Sequence, residues 1–415
     1  MKKSIIIIDP MISAEYLIQQ CKEFNYSTIA FSTWKSNKDV EHYFDYTHLP
    51  FAKIIKSSGN LQKDIDYVKS LEQYDIIAGF TGTDGAINYG EQFLQKLLPK
   101  LANDPTTSDH RSNKFAMNDV LKKHQLPYLK QEKIDQNLSD DQKIEQAFAF
   151  FQAYKNIIIK PAAGSAGSVN VFSPQNRECI LIYFKNFKAL YFSSDFLLQE
   201  KAIGPEYYVN CASYKGQHYV ATIGQYVKTE VKGIFEYGRL DAVEKSSPQF
   251  SAIRTYALEC LNVLGMLNGL SHTEIIMTNN GPRLIELNPR ISGLHGYVNM
   301  MTKRKYDVDQ ISAYINLLEN KKIPNINRPV HQRIFMFKNK KGYYNDIDLS
   351  VIKRLDSYVI HKIVKPKCEN HNEESQNVLS LVMFILLEHT DKDILERDCD
   401  FLSALEKEGS CLIDH

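Results

Sequence analysis

This chain lacks what a membrane protein, a nucleic-acid binder or a disulfide scaffold needs. None of its 415 residues falls in an apolar run near the roughly 20 that cross a bilayer. An excess of either charge is missing too. The net charge is +1, so charge gives no attraction to nucleic acid or to a membrane. The seven cysteines (Cys21, Cys179, Cys211, Cys260, Cys368, Cys399, Cys411) are odd in number and scattered, with no C-x-x-C pair. That pattern indicates neither a zinc site nor a disulfide framework, and it fits reduced thiols in a cytoplasmic protein. No G-x-G-x-x-G follows the first strand-like run, so a classical dinucleotide site is unsupported. No Ser/His/Asp or Cys/His set is recognisable. The start, MKKSIIIIDP, sets two lysines before an apolar run. The run spans only Ile5 to Ile8, too short for a signal sequence, and reads as a buried strand. No internal repeat or low-complexity segment stands out. What remains is ordinary globular composition, with 43% hydrophobic and 24% charged residues, in a chain long enough for two or three domains.

Residues 1 to about 110 alternate strand and helix patterns. Ile5–Ile8, Ser27–Phe31 and Asp75–Gly79 read as strands, and Ala14–Phe24, Leu61–Tyr74 and Ala86–Leu98 as helices. Such alternation predicts a parallel sheet with helices on both faces. The third strand ends in Gly79-Phe-Thr-Gly-Thr-Asp84-Gly85. Ligands in such sheets bind at the carboxyl ends of strands. Asp84 there has two readings, a partner for a substrate ammonium or a cap in a glycine-rich turn. The polar stretch 103–112 marks a candidate boundary. Lys114 then opens a helix that ends near Pro127.

Further on, the strand Asn156–Lys160 runs into Pro161-Ala-Ala-Gly-Ser165-Ala-Gly-Ser168. Small side chains there let backbone N–H groups approach phosphate oxygens, and Lys160 adds positive charge. The lysine precedes the glycines, so this is not a Walker A loop. Phe196–Glu200 is a strand leading into Lys201-Ala202-Ile-Gly-Pro-Glu206, and Tyr207–Ser213 and Tyr219–Val227 are strands. A segment passing an adenine can offer it backbone groups, and Glu206 can accept from ribose hydroxyls. Val231–Val243, with Gly233 and Gly238, reads as a loop over the substrate, and Phe250–Leu264 as an amphipathic helix. Tyr306–Glu319 is helical. Beyond about residue 330 the sequence predicts a small α/β region: Leu355–Lys367 extended, 370–377 a polar loop, Val378–Glu388 a strand and Asp391–Leu405 a helix.

Ser271–Gly296 is where the chemistry gathers. His272–Thr278 and Pro282–Asn288 read as two strands of a hairpin. A three-residue loop at Asn279-Asn280-Gly281, with Gly in the left-handed region, would set Glu274 opposite Glu286. A two-residue turn would leave them facing opposite ways. Like charges placed opposite each other destabilise a sheet, and a cation between them removes the problem. Glu274, Glu286 and the Asn288 amide oxygen are hard ligands suited to Mg²⁺ held with nucleotide phosphates. Arg290 can support negative charge developing on a transferred group.

In this order the residues resemble the ATP-grasp superfamily of carboxylate–amine ligases, most closely the L-amino acid ligases of the bacilysin-synthetase type. The resemblance spans nearly the whole chain. It implies an α/β ATP-grasp fold preceded by a Rossmann-like parallel-sheet domain (1–110), with lobes at 111–195 and 196–330 and a small C-terminal lobe at 331–415. It implies ATP contacts at Lys114, Lys160, Ser165, Ser168, the hinge Gln199, Glu200, Lys201 and Ala202, and the ribose carboxylate Glu206. It assigns the metal to Glu274, Glu286 and Asn288, the catalytic cation to Arg290, and substrate contacts to Asp84, His272, Arg290 and Gly293. ATP with Mg²⁺, or Mn²⁺ in its place, is the implied cofactor set. The implied partners are a carboxylate and an amine, most naturally two amino acids, with no nucleic acid or membrane and with a homodimer compatible. Gln199 departs from the family's usual Glu at the hinge, and Asp84 from its usual Glu in the glycine-rich loop. Rival readings are a carboxylase or another ligase acting on a metabolite or protein terminus, and a nucleotide-binding regulator without turnover.

Overall fold

The structure is a computed structural model. It describes residues 1–10, 13–33, 46, 48–163, 167–189, 194–368 and 381–413. Two compact units emerge: Met1–Leu129 with Tyr208–Ile223 and Lys245–Ile326, and Lys130–Tyr207 with Gly224–Glu244 and Asn327–His415.

The first unit opens with β1 (Lys2–Ile8), α1 (Ala14–Glu23), β2 (Ser27–Ser32), β3 (Lys53–Lys56), α2 (Leu61–Lys69), β4 (Tyr74–Thr81) and α3 (Ile87–Leu97). The strands form a sheet in the order β3-β2-β1-β4, all parallel. Ile5 to Ile8 are each at most 1% exposed and feed cores on both faces of the sheet. Each such side chain contributes about 1.5–3 kcal/mol on burial. Both faces being covered explains the uninterrupted apolar run. The predicted helix Leu61–Tyr74 stops at Lys69, because Leu71 and Tyr74 bury against the core from a turn and from the start of β4. The short edge strand β3 escaped the sequence reading.

Two helices follow, α4 (Asp109–Ser112) and α5 (Lys114–Lys123), the latter capped by the Asn113 side chain. Segment 103–112 is built into this unit. Arg111 is fully buried and bonds Glu91 through two nitrogens at 2.7 and 2.8 Å, as well as the carbonyls of Asp104 and Leu264.

The second unit takes up the chain with β5 (Gln131–Ile134), α6 (Asp140–Tyr154), β6 (Ile157–Pro161), α7 (Arg177–Asn186) and β7 (Phe196–Glu200). Its three-stranded antiparallel sheet has the order β5-β7-β6. One face, with Ile134, Ile157, Ile159, Phe196 and Leu198, packs on α6 and α7. Alternation puts Gln131, Ile158, Lys160, Leu197 and Gln199 on the other face.

Next come β8 (Glu206–Tyr214), β9 (Gln217–Val231) and β10 (Ile234–Ala242), then α8 (Pro248–Val263), β11 (Gly269–Thr278), β12 (Gly281–Asn288), α9 (Tyr297–Tyr306) and α10 (Gln310–Leu318). In the first unit the strand order is β12-β11-β8-β9. The stretch Val231–Val243 is not a loop over the substrate. It is the second strand of a hairpin whose turn is Lys232-Gly233, both in the left-handed region at φ 51° and 81°. Gly238, taken as loop, is the extra residue of a β-bulge between Tyr237 and Arg239. Tyr306–Glu319 also resolves differently. Asp307 at φ 60° ends α9, and the Asp309 side chain caps α10, so the helix begins only at Gln310.

The chain ends with β13 (His331–Lys338), β14 (Asp346–Ile347), β15 (Tyr358–Ile363), β16 (Leu381–His389), α11 (Lys392–Glu408) and β17 (Leu412–Ile413). In the second unit the order runs β9-β10-β13-β16-β15, and α11 covers β13 and β16 around Phe337, Ile385, Leu395 and Leu402. β13 was missed from sequence. The polar stretch 370–377 and Ser165 lie outside the described residues. Among the described residues no helix is long and apolar enough to cross a membrane.

Candidate active site

The β11–β12 hairpin brings Glu274 opposite Glu286, as the sequence suggested, but by a different route. Its turn has two residues, since Thr278 pairs with Gly281 and the pairing continues to Ile275–Leu284. That register alone would put the two carboxylates on opposite faces. A bulge between Glu274 and Ile275 then skips Ile285, and Glu274 pairs with Glu286, Thr273 with Leu287 and His272 with Asn288. Gly281 does take the left-handed conformation, at φ 90°. The bulge turns four polar side chains to one face.

That face carries opposed charges with local partners. Lys114 Nζ lies 2.8 Å from Glu286 Oε2, with both side chains largely buried. Asn288 Nδ2 donates to Glu286 Oε1 at 3.1 Å. His272 Nε2 lies 3.4 Å from Glu274 Oε1, and its Nδ1 meets Asn210 Oδ1 at 2.7 Å. Tyr208 stacks on the His272 ring with centroids 5.8 Å apart. Burial, the largest influence on the Lys114 ammonium, pulls its pKa down. The Glu286 carboxylate, with help from Asp84 and Glu274, outweighs burial and leaves the value raised. Lys114 is therefore a fixed cation beside the carboxylates.

Arg290 follows directly. Its neighbour Pro289 accepts a hydrogen bond from Thr81 Oγ1 at 2.7 Å, and Arg290 forms a parallel bridge with Thr81. The end of β12 is thereby fixed to the carboxyl end of β4. Gly82 must be glycine, because a Cβ there would stand 2.3 Å from the Asp9 carbonyl oxygen. Thr83, not Asp84, caps the next turn by accepting from Ala86 N. Asp84 is left to take Arg290 in a two-pronged pair, Nε–Oδ1 2.7 Å and NH2–Oδ2 2.9 Å. Gly293 follows in the same segment, between the buried Ser292 and the left-handed Leu294, His295 and Gly296.

The remaining predicted residues sit in the second unit. Lys160 and Gln199 are 3% and 2% exposed on the face of the small sheet that turns away from its apolar core. Gln199 Nε2 has no protein partner. A buried unpaired donor costs about 1–3 kcal/mol unless a ligand meets it. Glu200 ties β7 to Lys130 through its backbone N–H and its side chain. Lys201 Nζ contacts Glu230 at 2.6 Å and Ser173 Oγ at 3.2 Å, and Ala202 follows it into the turn before β8. Glu206 pairs with Lys228, whose ammonium lies over the Tyr237 ring, 4.2 Å from its centroid. Ser168 Oγ is 3.3 Å from Tyr237 Oη.

Sequence reasoning missed Asn210, Lys228 and Tyr237. A fully buried asparagine inside Tyr207-Tyr-Val-Asn-Cys-Ala was a legible signal. Lys228 and Tyr237 gave none, because their meeting depends on the hairpin register. Among the described residues no three or more His, Cys, Asp or Glu side chains group to hold a metal. The expected set of two carboxylates and an asparagine oxygen nevertheless fits a hard cation, since Glu274, Glu286 and Asn288 share one strand-paired face.

Residues 111–294 match the family of the ATP-grasp domain. Over 303 residues the chain is 25% identical to dapdiamide A synthase of Enterobacter agglomerans, covering 70% of this chain and 68% of that one. Its fold is similar to that of the L-amino acid ligase from Bacillus licheniformis, with TM-score 0.75, 16% identity and 97% of each chain covered. It is also similar to N5-carboxyaminoimidazole ribonucleotide synthetase from Thermotoga maritima, with TM-score 0.65, 16% identity and 98% of each chain covered. Residues 111–294 carry an ATP-grasp domain, and the chain has the fold of the ATP-grasp structures it resembles.

Proposed function

We propose that this protein is an ATP-dependent carboxylate–amine ligase that joins two amino acids through an acyl phosphate. The observation that carries this reading is the cluster of the first unit, where Lys114, Glu274, Glu286, Asp84 and Arg290 form two ion pairs around a bulged hairpin. A pure nucleotide binder has no use for that group. The names of two similar proteins, an L-amino acid ligase and dapdiamide A synthase, support amino-acid-like substrates.

In the proposed reaction a substrate carboxylate attacks the γ-phosphorus of ATP, and ADP leaves. The amine then attacks the acyl carbon, the C–O bond to phosphate breaks, and the amine gives up a proton. Lys114, Lys160, Ser165 and Ser168 contact phosphate oxygens. Gln199, Glu200, Lys201 and Ala202 hold the base and Glu206 the ribose. Arg290 stabilises the acyl phosphate and the oxyanion that follows. Asp84 meets an ammonium, with His272 and Gly293 beside the substrate. Glu274, Glu286 and Asn288 would hold Mg²⁺, with Mn²⁺ as a substitute, and a bound cation offsets phosphate charge. We further propose four building blocks (1–110, 111–195, 196–330 and 331–415) and a cytoplasmic enzyme.

The test is phosphate release from ATP with pairs of amino acids, followed by mass analysis of the amide. ADP and phosphate are the expected products, and hydroxylamine should trap the acyl group as a hydroxamate when the amine is withheld. AMP would eliminate the mechanism. The shared fold with a carboxyaminoimidazole ribonucleotide synthetase favours one rival, a ligase that activates a different carboxylate. Phosphate release dependent on bicarbonate and indifferent to amino acids would support it.

A further inference from the structure

The β9–β10 hairpin of the second unit touches Ser168, Lys201 and Glu206, three of the residues of that unit assigned above to the nucleotide. At its turn, Gly233 O accepts from Ser173 N at 2.9 Å, five residues beyond the small-residue loop. A Cβ on Gly233 would stand 2.3 Å from Ser173 O, so this contact requires glycine. On β9, Glu230 holds Lys201 of the hinge, and Lys228 holds Glu206. On β10, Phe235 lies under the Lys201 ammonium, 5.6 Å from ring centroid to Nζ. Tyr237 is paired with Lys228 across the strands, and its hydroxyl reaches Ser168. The bulge at Gly238 comes just after Tyr237, and bulges of this kind re-aim side chains.

We infer that Tyr237 is a positioning residue that couples Ser168 to the Glu206 carboxylate. Its ring face holds the Lys228 ammonium, which balances Glu206, and its hydroxyl holds Ser168. One rigid aromatic side chain therefore touches both groups, with the Tyr226 ring also against the Lys228 ammonium, 4.9 Å from its centroid. Ser168 held in this way has fewer competing positions, which under the ligase reading leaves less room for water beside an activated acyl group. This inference rests on the ligase reading for its kinetic consequences but not for its structural ones.

Tyr237→Phe keeps the ring and removes only the hydroxyl. Amide hydrogen exchange of residues 167–173 should rise several-fold in this variant at unchanged Tm, without any nucleotide present. With ATP and the amino acids, phosphate released per amide formed should rise at least two-fold, and the KM for ATP should rise a few-fold. Ser168→Ala should give the same effects, and the double variant no more than either alone. Tyr237→Leu, which also removes the ring, should raise the KM for ATP further. Additive effects of Ser168→Ala and Tyr237→Phe, or unchanged exchange at 167–173 in Tyr237→Phe, would overturn the inference. If the wild type releases no phosphate, the ligase reading fails and the exchange measurement still decides this one.

Discussion

Lys114 and Glu286 form a largely buried ion pair at 2.8 Å, a lysine from the start of one helix against a carboxylate from a bulged strand. The same carboxylate stands opposite Glu274. Lys114 offsets one of these two like charges, and a substrate or metal that engages Glu286 competes with this pair.

Glu286→Gln keeps the shape but removes the charge and turns one of the two acceptor oxygens into a donor. Turnover should fall by roughly 100-fold, in the range seen when one preorganised electrostatic partner is lost. The fold should survive, because Asn288 and Lys114 still have a polar partner. Phosphate release at saturating Mg²⁺, with circular dichroism alongside, checks this. Near wild-type turnover would detach Glu286 from the chemistry.

Asp84 can hold a substrate ammonium only by sharing or releasing Arg290, which it now grips with both oxygens. Asp84→Asn should raise the KM for one amino acid by about ten-fold, equivalent to ~1.4 kcal/mol, and leave that for ATP unchanged. A fall in kcat with both KM values intact would instead make Asp84 a support for Arg290.

Lys160→Ala should weaken ATP binding. A charge-assisted hydrogen bond is worth about 1.5–3 kcal/mol, which is roughly a ten- to hundred-fold rise in Kd by titration calorimetry. Lys160 is 3% exposed on the non-core face of its sheet, so a binding role and a purely structural one predict different results. An unchanged Kd with a lowered Tm would favour structure.

Acid should unfold the second unit partly through Asp398. Burial pushes this carboxyl up, but hydrogen bonds from the Ser357 backbone and hydroxyl, and from Arg397, more than offset it and leave the pKa lowered. A carboxylate held below its ordinary value of about 3.9 adds stability above that pH, which is lost as pH falls through the lowered value. Asp398→Asn should therefore lower Tm at neutral pH and flatten its decline below about pH 4. Thermal scans across pH test this, and an unchanged slope would remove Asp398 from the acid response.

Sequence alone determined most of the elements here. The run Ile5–Ile8 reads as a buried strand and Lys114 as the start of a helix, because apolar patterning and periodicity are local properties. The order of lysines, small-residue loop, carboxylates and arginine is visible in the sequence as a resemblance, and its assignment to phosphates and a hard cation is the reading proposed above. Tertiary structure decided what depends on register. Two glycines look alike in a sequence whether they loosen a loop or make a turn and a bulge, and at Gly233 and Gly238 cross-strand pairing chose the second. The opposition of Glu274 and Glu286 was guessed from a wrong turn and produced by a bulge at Ile285, because a one-residue slip flips a strand's side chains and nothing local marks it. The partners Lys114–Glu286, Asp84–Arg290 and Lys228–Tyr237 were set in the same way, by contacts between residues far apart in the chain or paired across strands, whose geometry local propensity does not encode.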